Sequence, residues 1–153
     1  MLFRSTPLTG RWVTIVADRA RRPSDFAPRS AQVEAEPSRP CPFCPGNEES
    51  TLPALETLDG GGQWKMRVVP NLYPAFDGDE SFAVHHHGPV HVEAAASGIH
   101  EVFVYTPDHD GGLHLASDDD LGEMMMLLKR RLQQHAATPN VRYTQAIINH
   151  GRE

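Results

Sequence analysis

The sequence predicts an α+β domain with a mainly antiparallel sheet and one main helix. Short β-branched runs are bounded by turn residues, one long stretch over about 118–137 carries helical periodicity behind a capping signal, and strands are expected on both sides of that helix. The 153 residues match the size of a single domain and contain no internal repeat.

The first predicted strand, 12–16 (WVTIV), follows the turn signal Pro7-Leu8-Thr9-Gly10. The second, 64–69 (WKMRVV), alternates weakly and stops at Pro70. The third, 99–105 (IHEVFVY), places Val102 and Val104 on one face and Glu101, Phe103 and Tyr105 on the other. A fourth is expected over 141–149 (VRYTQAIIN). Ser117-Asp118-Asp119-Asp120 reads as a capping box that puts acids at the positive end of the helix dipole. Leu121, Met124, Met125, Leu128 and Leu132 then recur at three- and four-residue spacing and are expected to face the core. The 13 prolines and 12 glycines mark the loops: 19–45 reads as a long loop or arm, and 77–88 as a second breaker-rich stretch.

A net charge of -6 with dispersed basic residues argues against nucleic acid as a partner, because that affinity rests on clustered Lys and Arg. No apolar run approaches the ~20 residues that span a bilayer, and Met1-Leu2-Phe3 is broken at once by Arg4-Ser5-Thr6-Pro7, so neither membrane insertion nor a signal peptide is expected. With two cysteines, a cytoplasmic location is the default.

Cys41-Pro42-Phe43-Cys44 is the most informative local feature. Two thiolates at this spacing reach one tetrahedral ion. The same spacing serves thiol–disulfide exchange, and CPFC resembles a glutaredoxin-type site. A redox pair should follow an apolar strand and open a helix, but here EAEPSRP precedes it and Pro45-Gly46-Asn47 follows. Zinc is therefore favoured over redox chemistry and over unliganded thiols. Nine histidines could complete the site. His109, just past the strongest strand and flanked by Asp108 and Asp110, stands out, since a carboxylate on the far ring nitrogen is the usual support of a metal ligand. His100 reads as structural. His85-His86-His87, with His91 nearby, reads as a loop whose adjacent side chains diverge, a solvated run or an adventitious metal binder. His114, His135 and His150 carry no motif. Arg19 and Arg22 belong to a short basic cluster that reads as a solvated loop or as a phosphate clamp, and Asn71 and Asn149 could offer amide hydrogen bonds to a ligand or merely satisfy turn backbone.

In order, PLTGRWV (7–13), DRARRP (18–23), CPFCPGNE (41–48), RVVPNLYPAF (67–76), GIHEVFVYTPDH (98–109) and INHG (148–151) resemble the N-terminal half of galactose-1-phosphate uridylyltransferases and the related ADP-glucose phosphorylase-like enzymes. The resemblance implies a histidine-triad-like α+β domain and a ping-pong exchange. A histidine attacks the α-phosphorus of UDP-glucose and releases glucose 1-phosphate, and galactose 1-phosphate then attacks the uridylyl-histidine. It implies zinc on Cys41, Cys44 and His109, hexose-phosphate contacts at Arg19 and Arg22 that can serve a neighbouring subunit of a homo-oligomer, and nucleotide contacts at Phe43, Val69, Asn71, Leu72 and Asn149. At 72 many members carry an acid, and Leu72 cannot accept hydrogen bonds from ribose hydroxyls. The family's His-x-His-x-Gln, which supplies the fourth zinc ligand and the nucleophile, has no counterpart in these 153 residues. The expectation is one N-terminal uridylyltransferase-type domain over 1–153, inactive alone. It would be a fragment, a truncated product, or part of an enzyme whose C-terminal half is a separate chain. The alternatives are a non-catalytic zinc-stabilised module that binds nucleotide or protein, and a thiol oxidoreductase.

Overall fold

The structure, a computed structural model, describes residues 1–16 and 40–149. Arg19, Arg22 and His150, and the part of the expected 19–45 arm before residue 40, lie outside the described residues.

Among the described residues, seven strands form two antiparallel sheets. β1 (Leu2–Ser5), β2 (Trp12–Ile15), β5 (Val84–His87) and β6 (His91–Ala95) make a four-stranded sheet in the order β2-β1-β6-β5. β3 (Glu56–Asp59), β4 (Trp64–Pro70) and β7 (Glu101–Val104) make a three-stranded sheet with β4 in the middle. The helix α1 spans Asp118–Ala136, and short 3-10 turns lie at Glu48–Ser50 and Leu113–Leu115.

The expected α+β architecture is present, and the capping box is formed. Asp120 donates its N–H to Ser117 Oγ (3.1 Å) and Ser117 its N–H to Asp120 Oδ2 (3.3 Å). Helix α1 covers the three-stranded sheet. Met66 and Val68 of β4 and Leu127 of α1 form the buried centre, with Leu58, Phe103 and Met124 packed against it. Phe103 and Glu101 face the helix, on the side opposite Val102 and Val104, as the alternation of β7 predicts.

The helix also makes at least one ion pair to each strand beneath it. Arg130 Nε lies 2.5 Å from Glu56 Oε1 of β3, Lys65 of β4 pairs with Asp120 (2.7 Å) and Glu123, and Arg131 holds Glu101 of β7 (Nε to Oε2 3.1 Å). His135 lies 3.1 Å from the same Glu101. The residues of α1 that meet the sheet are thus three polar, Asp120, Arg131 and His135, and two apolar, Met124 and Leu127. Of the expected apolar stripe, Met124 packs against the core and Leu121, Leu128 and Leu132 are half-buried, but Met125 is 56% exposed, and Leu127, outside the stripe, is 1% exposed.

Two further expectations are corrected. Residues 84–87 form β5 rather than a loop, because the reversal at Gly88, which adopts φ +67°, lets them pair with β6. Residues 141–149 form no strand. A strand exists only by pairing, no described strand flanks this segment, and its Tyr143, Ile147 and Ile148 are exposed.

Candidate metal centre

The thiol pair sits in a tight knuckle built by its own backbone. Cys44 donates its N–H to the Cys41 carbonyl (3.2 Å), Asn47 donates to that of Cys44 (3.2 Å), and the Asn47 side-chain amide donates back to the Cys41 carbonyl (2.9 Å). Gly46 turns the chain with φ +86°, a conformation that a side chain would strain.

Residues the sequence did not single out fasten this knuckle to β4. Glu48 Oε1 accepts both the Gly46 N–H (3.2 Å) and the indole N–H of Trp64 (2.6 Å). Hydrogen bonds from its own backbone N–H and from Trp64 hold the Glu48 carboxyl below the usual range. Arg67, only 4% exposed, lies over the Trp64 ring at 5.5 Å and donates from Nη2 to Thr51 Oγ1 (3.0 Å). Its Nη1 has no hydrogen-bond partner among the described residues. A Trp and an Arg three apart on one strand were the available signal, but spacing alone does not show which loop they reach.

The third donor arrives from the loop after β7. Asp108 donates its N–H to Thr106 Oγ1 (3.2 Å), and its own Oδ1 accepts the N–H of Asp110 (3.1 Å), which fixes the turn that presents His109. The carboxylate expected on the far ring nitrogen is absent from the hydrogen bonds of the described residues, since Asp108 is engaged by the backbone instead.

Cys44 Sγ and His109 Nδ1 lie 3.2 Å apart although 65 positions separate them in sequence. Among the described residues, Cys41, Cys44 and His109 form the one group of three such side chains whose donor atoms all lie within 4.8 Å of one another. Bond lengths of ~2.3 Å to sulfur and ~2.0–2.1 Å to nitrogen make a tetrahedral S–N edge of about 3.5 Å, so the donor set fits a zinc-sized ion. Partial burial, the neighbouring Cys41 thiol, and the charges of Asp108 and Asp110 push the Cys44 thiol up. A divalent cation would reverse that electrostatic environment.

The model of the galactose-1-phosphate uridyl transferase N-terminal domain matches residues 2–153. The chain belongs to that family. Two relatives of this uridyl transferase-family chain are the ADP-glucose phosphorylase of Arabidopsis thaliana and the galactose-1-phosphate uridylyltransferase of Thermotoga maritima. The first is 32% identical over 151 residues, covering 97% of the chain and 43% of the relative. The second is 30% identical over 158 residues, covering 100% and 42%. The family chain thus spans less than half the length of either relative. A solved uridylyltransferase structure shares the fold at a TM-score of 0.52 and 24% identity, over 88% of this chain and 35% of that one.

The other predicted site residues of this family member are spread over three segments. Phe43 lies on the knuckle and is exposed. Val69 is fully buried in β4, and Leu72 just beyond it is 54% exposed. Asn71 is already engaged: its Oδ1 accepts the Tyr73 N–H (2.8 Å) and its side-chain nitrogen lies 3.2 Å from His100 Nε2. His100 Nδ1 accepts the Ala75 N–H (2.8 Å), which confirms the structural reading of His100. Asn149 is exposed on the unpaired segment.

Proposed function

We propose that this chain is the metal-holding, substrate-binding half of a hexose-1-phosphate nucleotidyltransferase. The proposed substrates are UDP-glucose and galactose 1-phosphate, or a related nucleotide sugar and sugar phosphate. In the first displacement an imidazole nitrogen bonds to the α-phosphorus, the bond to the bridging oxygen breaks, and glucose 1-phosphate leaves. In the second, a phosphate oxygen of galactose 1-phosphate attacks the same phosphorus, and the P–N bond breaks to free the nucleophile.

The observation that carries this reading is the meeting of Cys41 and Cys44 with His109, in a chain matched to the family over residues 2–153. Zinc on these three side chains would supply a structural cross-link between the knuckle and the loop after β7. Arg19 and Arg22 take the hexose phosphate, in this subunit's site or a neighbour's within a homo-oligomer. Phe43, Asn71, Leu72 and Asn149 are the proposed nucleotide contacts, and Val69, buried in β4, anchors the strand end that carries Asn71 and Leu72. These 153 residues hold no His-x-His-x-Gln, so the nucleophile and the fourth zinc ligand come from further polypeptide, continuous or separate.

The test is nucleotidyl exchange between UDP-glucose and galactose 1-phosphate, run on the 153 residues alone and together with a chain that carries the missing motif. Exchange is expected only in the second case, and turnover by the 153 residues alone defeats the assignment of the nucleophile. Cys41→Ser is expected to lower metal content and thermal stability together, and an unchanged pair of values defeats the zinc assignment. The second reading is a non-catalytic zinc-stabilised module that binds nucleotide or protein. That reading predicts stoichiometric metal and no rescue by any partner. Thiol exchange has less support, because a 3-10 turn rather than a helix follows the pair and the Cys44 thiol is pushed up rather than down.

A further inference from the structure

The β5–β6 hairpin plays no part in the reaction proposed above, yet it gathers four of the nine histidines. Its register pairs His85 with Glu93, His86 with Val92 and His87 with His91. Direct partners in an antiparallel pair share a face, and neighbours along a strand alternate. His85, His87, His91 and Glu93 therefore stand on one face, with His86 and Val92 on the other. A side-chain contact bears this out: His87 Nε2 lies 2.6 Å from Glu93 Oε1, across the strands. Arg4 of β1, in register with Glu93, approaches its second oxygen at 3.7 Å. The run that reads in sequence as three diverging imidazoles is thus two on one side and one on the other, with a fourth brought alongside by the turn.

We propose that this face is a second metal site, for a divalent transition cation of the class that imidazole selects, such as zinc, copper or nickel. His85, His87 and His91 are the donors. Glu93 already holds Nε2 of His87, which leaves Nδ1 to bind the ion, so the carboxylate fixes the ring as it does behind many ligating histidines. Cβ atoms of direct cross-strand partners lie about 4.5–5.5 Å apart, and positions i and i+2 about 7 Å apart, spans that imidazoles bridge to one ion. The three rings stand apart in the structure, and closing on an ion takes only rotation of exposed side chains.

The site is tested by titrating the 153-residue chain with zinc against a competing chelator, and then with cobalt. Two ions per chain are expected. Cobalt at the knuckle shows thiolate charge-transfer absorption in the near ultraviolet, whereas cobalt on the hairpin shows only ligand-field bands, so the two sites are counted separately. With Cys41→Ser the hairpin ion remains. His85→Ala, His87→Ala and His91→Ala each weaken the second ion by roughly tenfold or more, and Glu93→Gln by about tenfold. His86→Ala leaves it unchanged. All four histidines are exposed, so these variants are expected to keep the fold. A single ion per chain with purely thiolate absorption overturns the proposal. So does a His86→Ala loss equal to that of His87→Ala, which would mean that the run binds metal as an unstructured tag.

Discussion

The two sheets differ in how their faces are covered. In the three-stranded sheet the central strand is buried from Met66 through Val69, and α1 closes one side with Leu127 and with an ion pair to every strand. In the four-stranded sheet β5 is exposed throughout, and Val13 and Ile15 of β2 stand in solvent. Its packed side rests on smaller contacts, with Ala94 buried, Phe3 against Phe76 at 5.7 Å and Trp12 against Phe82 at 5.9 Å. Both arms of the candidate metal centre belong to the covered sheet. The knuckle is bonded to Trp64 and Arg67 of β4, and His109 follows β7, the neighbour of β4. The candidate donors are thus mounted on the sheet whose central strand is buried and whose one face is closed by the helix.

That contrast can be broken most directly at Leu127. Leu127→Ala should cost about 2–5 kcal/mol in urea unfolding, since it opens a cavity at the centre of the covered sheet. A loss below 1 kcal/mol would mean that α1 is held by its ion pairs alone. The next largest effect tests the link between scaffold and donors. Trp64→Phe keeps an aromatic face under Arg67 but removes the N–H that holds Glu48, and should weaken zinc by about 10–100-fold with little change in the metal-free Tm. Equal affinity would show that the knuckle is set by its own backbone.

A smaller effect should appear in acid. Hydrogen bonds from Lys65 and from Ser117 hold the Asp120 carboxyl down to about 2, against about 3.9 for a free Asp. The folded value is the lower one, so this contribution is complete above about pH 4 and is lost as the pH falls toward 2. Glu101 acts in the same direction. Burial would raise its carboxyl, but Arg131 and His135 outweigh that and hold it below the usual range. Asp120→Asn should therefore flatten the acid limb of the stability curve in part, and an unaltered limb would show that Lys65 does not bind the helix start in solution. Lys65 is itself pushed up to about 12 by Asp120 and Glu123, so its share survives until the pH rises past the ordinary lysine range. The smallest change is expected at Val13, where Val13→Thr should stay within about 0.5 kcal/mol because the side chain already faces water.

The convergence of Cys41, Cys44 and His109 was legible in the sequence because its evidence is local. A thiol pair between loops and a histidine in a proline-bounded turn are each readable from near neighbours. The central strand, the helix ends and the capping box were legible for the same reason. Leu127 was missed because the buried face of α1 carries Asp120, Arg131 and His135, whose ion pairs to the sheet no hydrophobic count registers. β5 was missed because His85-His86-His87 has no apolar alternation and becomes a strand only through its ladder to β6. The segment 141–149 shows the converse: β-branched composition without a described partner yields no strand. The fastening of the knuckle to β4 through Trp64 and Arg67 depends on contacts across 16 positions and could not be read from spacing.

Cys41 and Cys44 are neighbours in any conformation of the chain, while His109 joins them only across 65 positions that include β3 through β7. Of the three candidate donors, an unfolded chain keeps only the two sulfurs together, so an ion held by all three would have to wait for the fold. Closing so long a loop is slow and entropically costly for the disordered ensemble. Such a link would work chiefly against unfolding, and added metal is expected to lengthen the lifetime of the native state more than it speeds its formation.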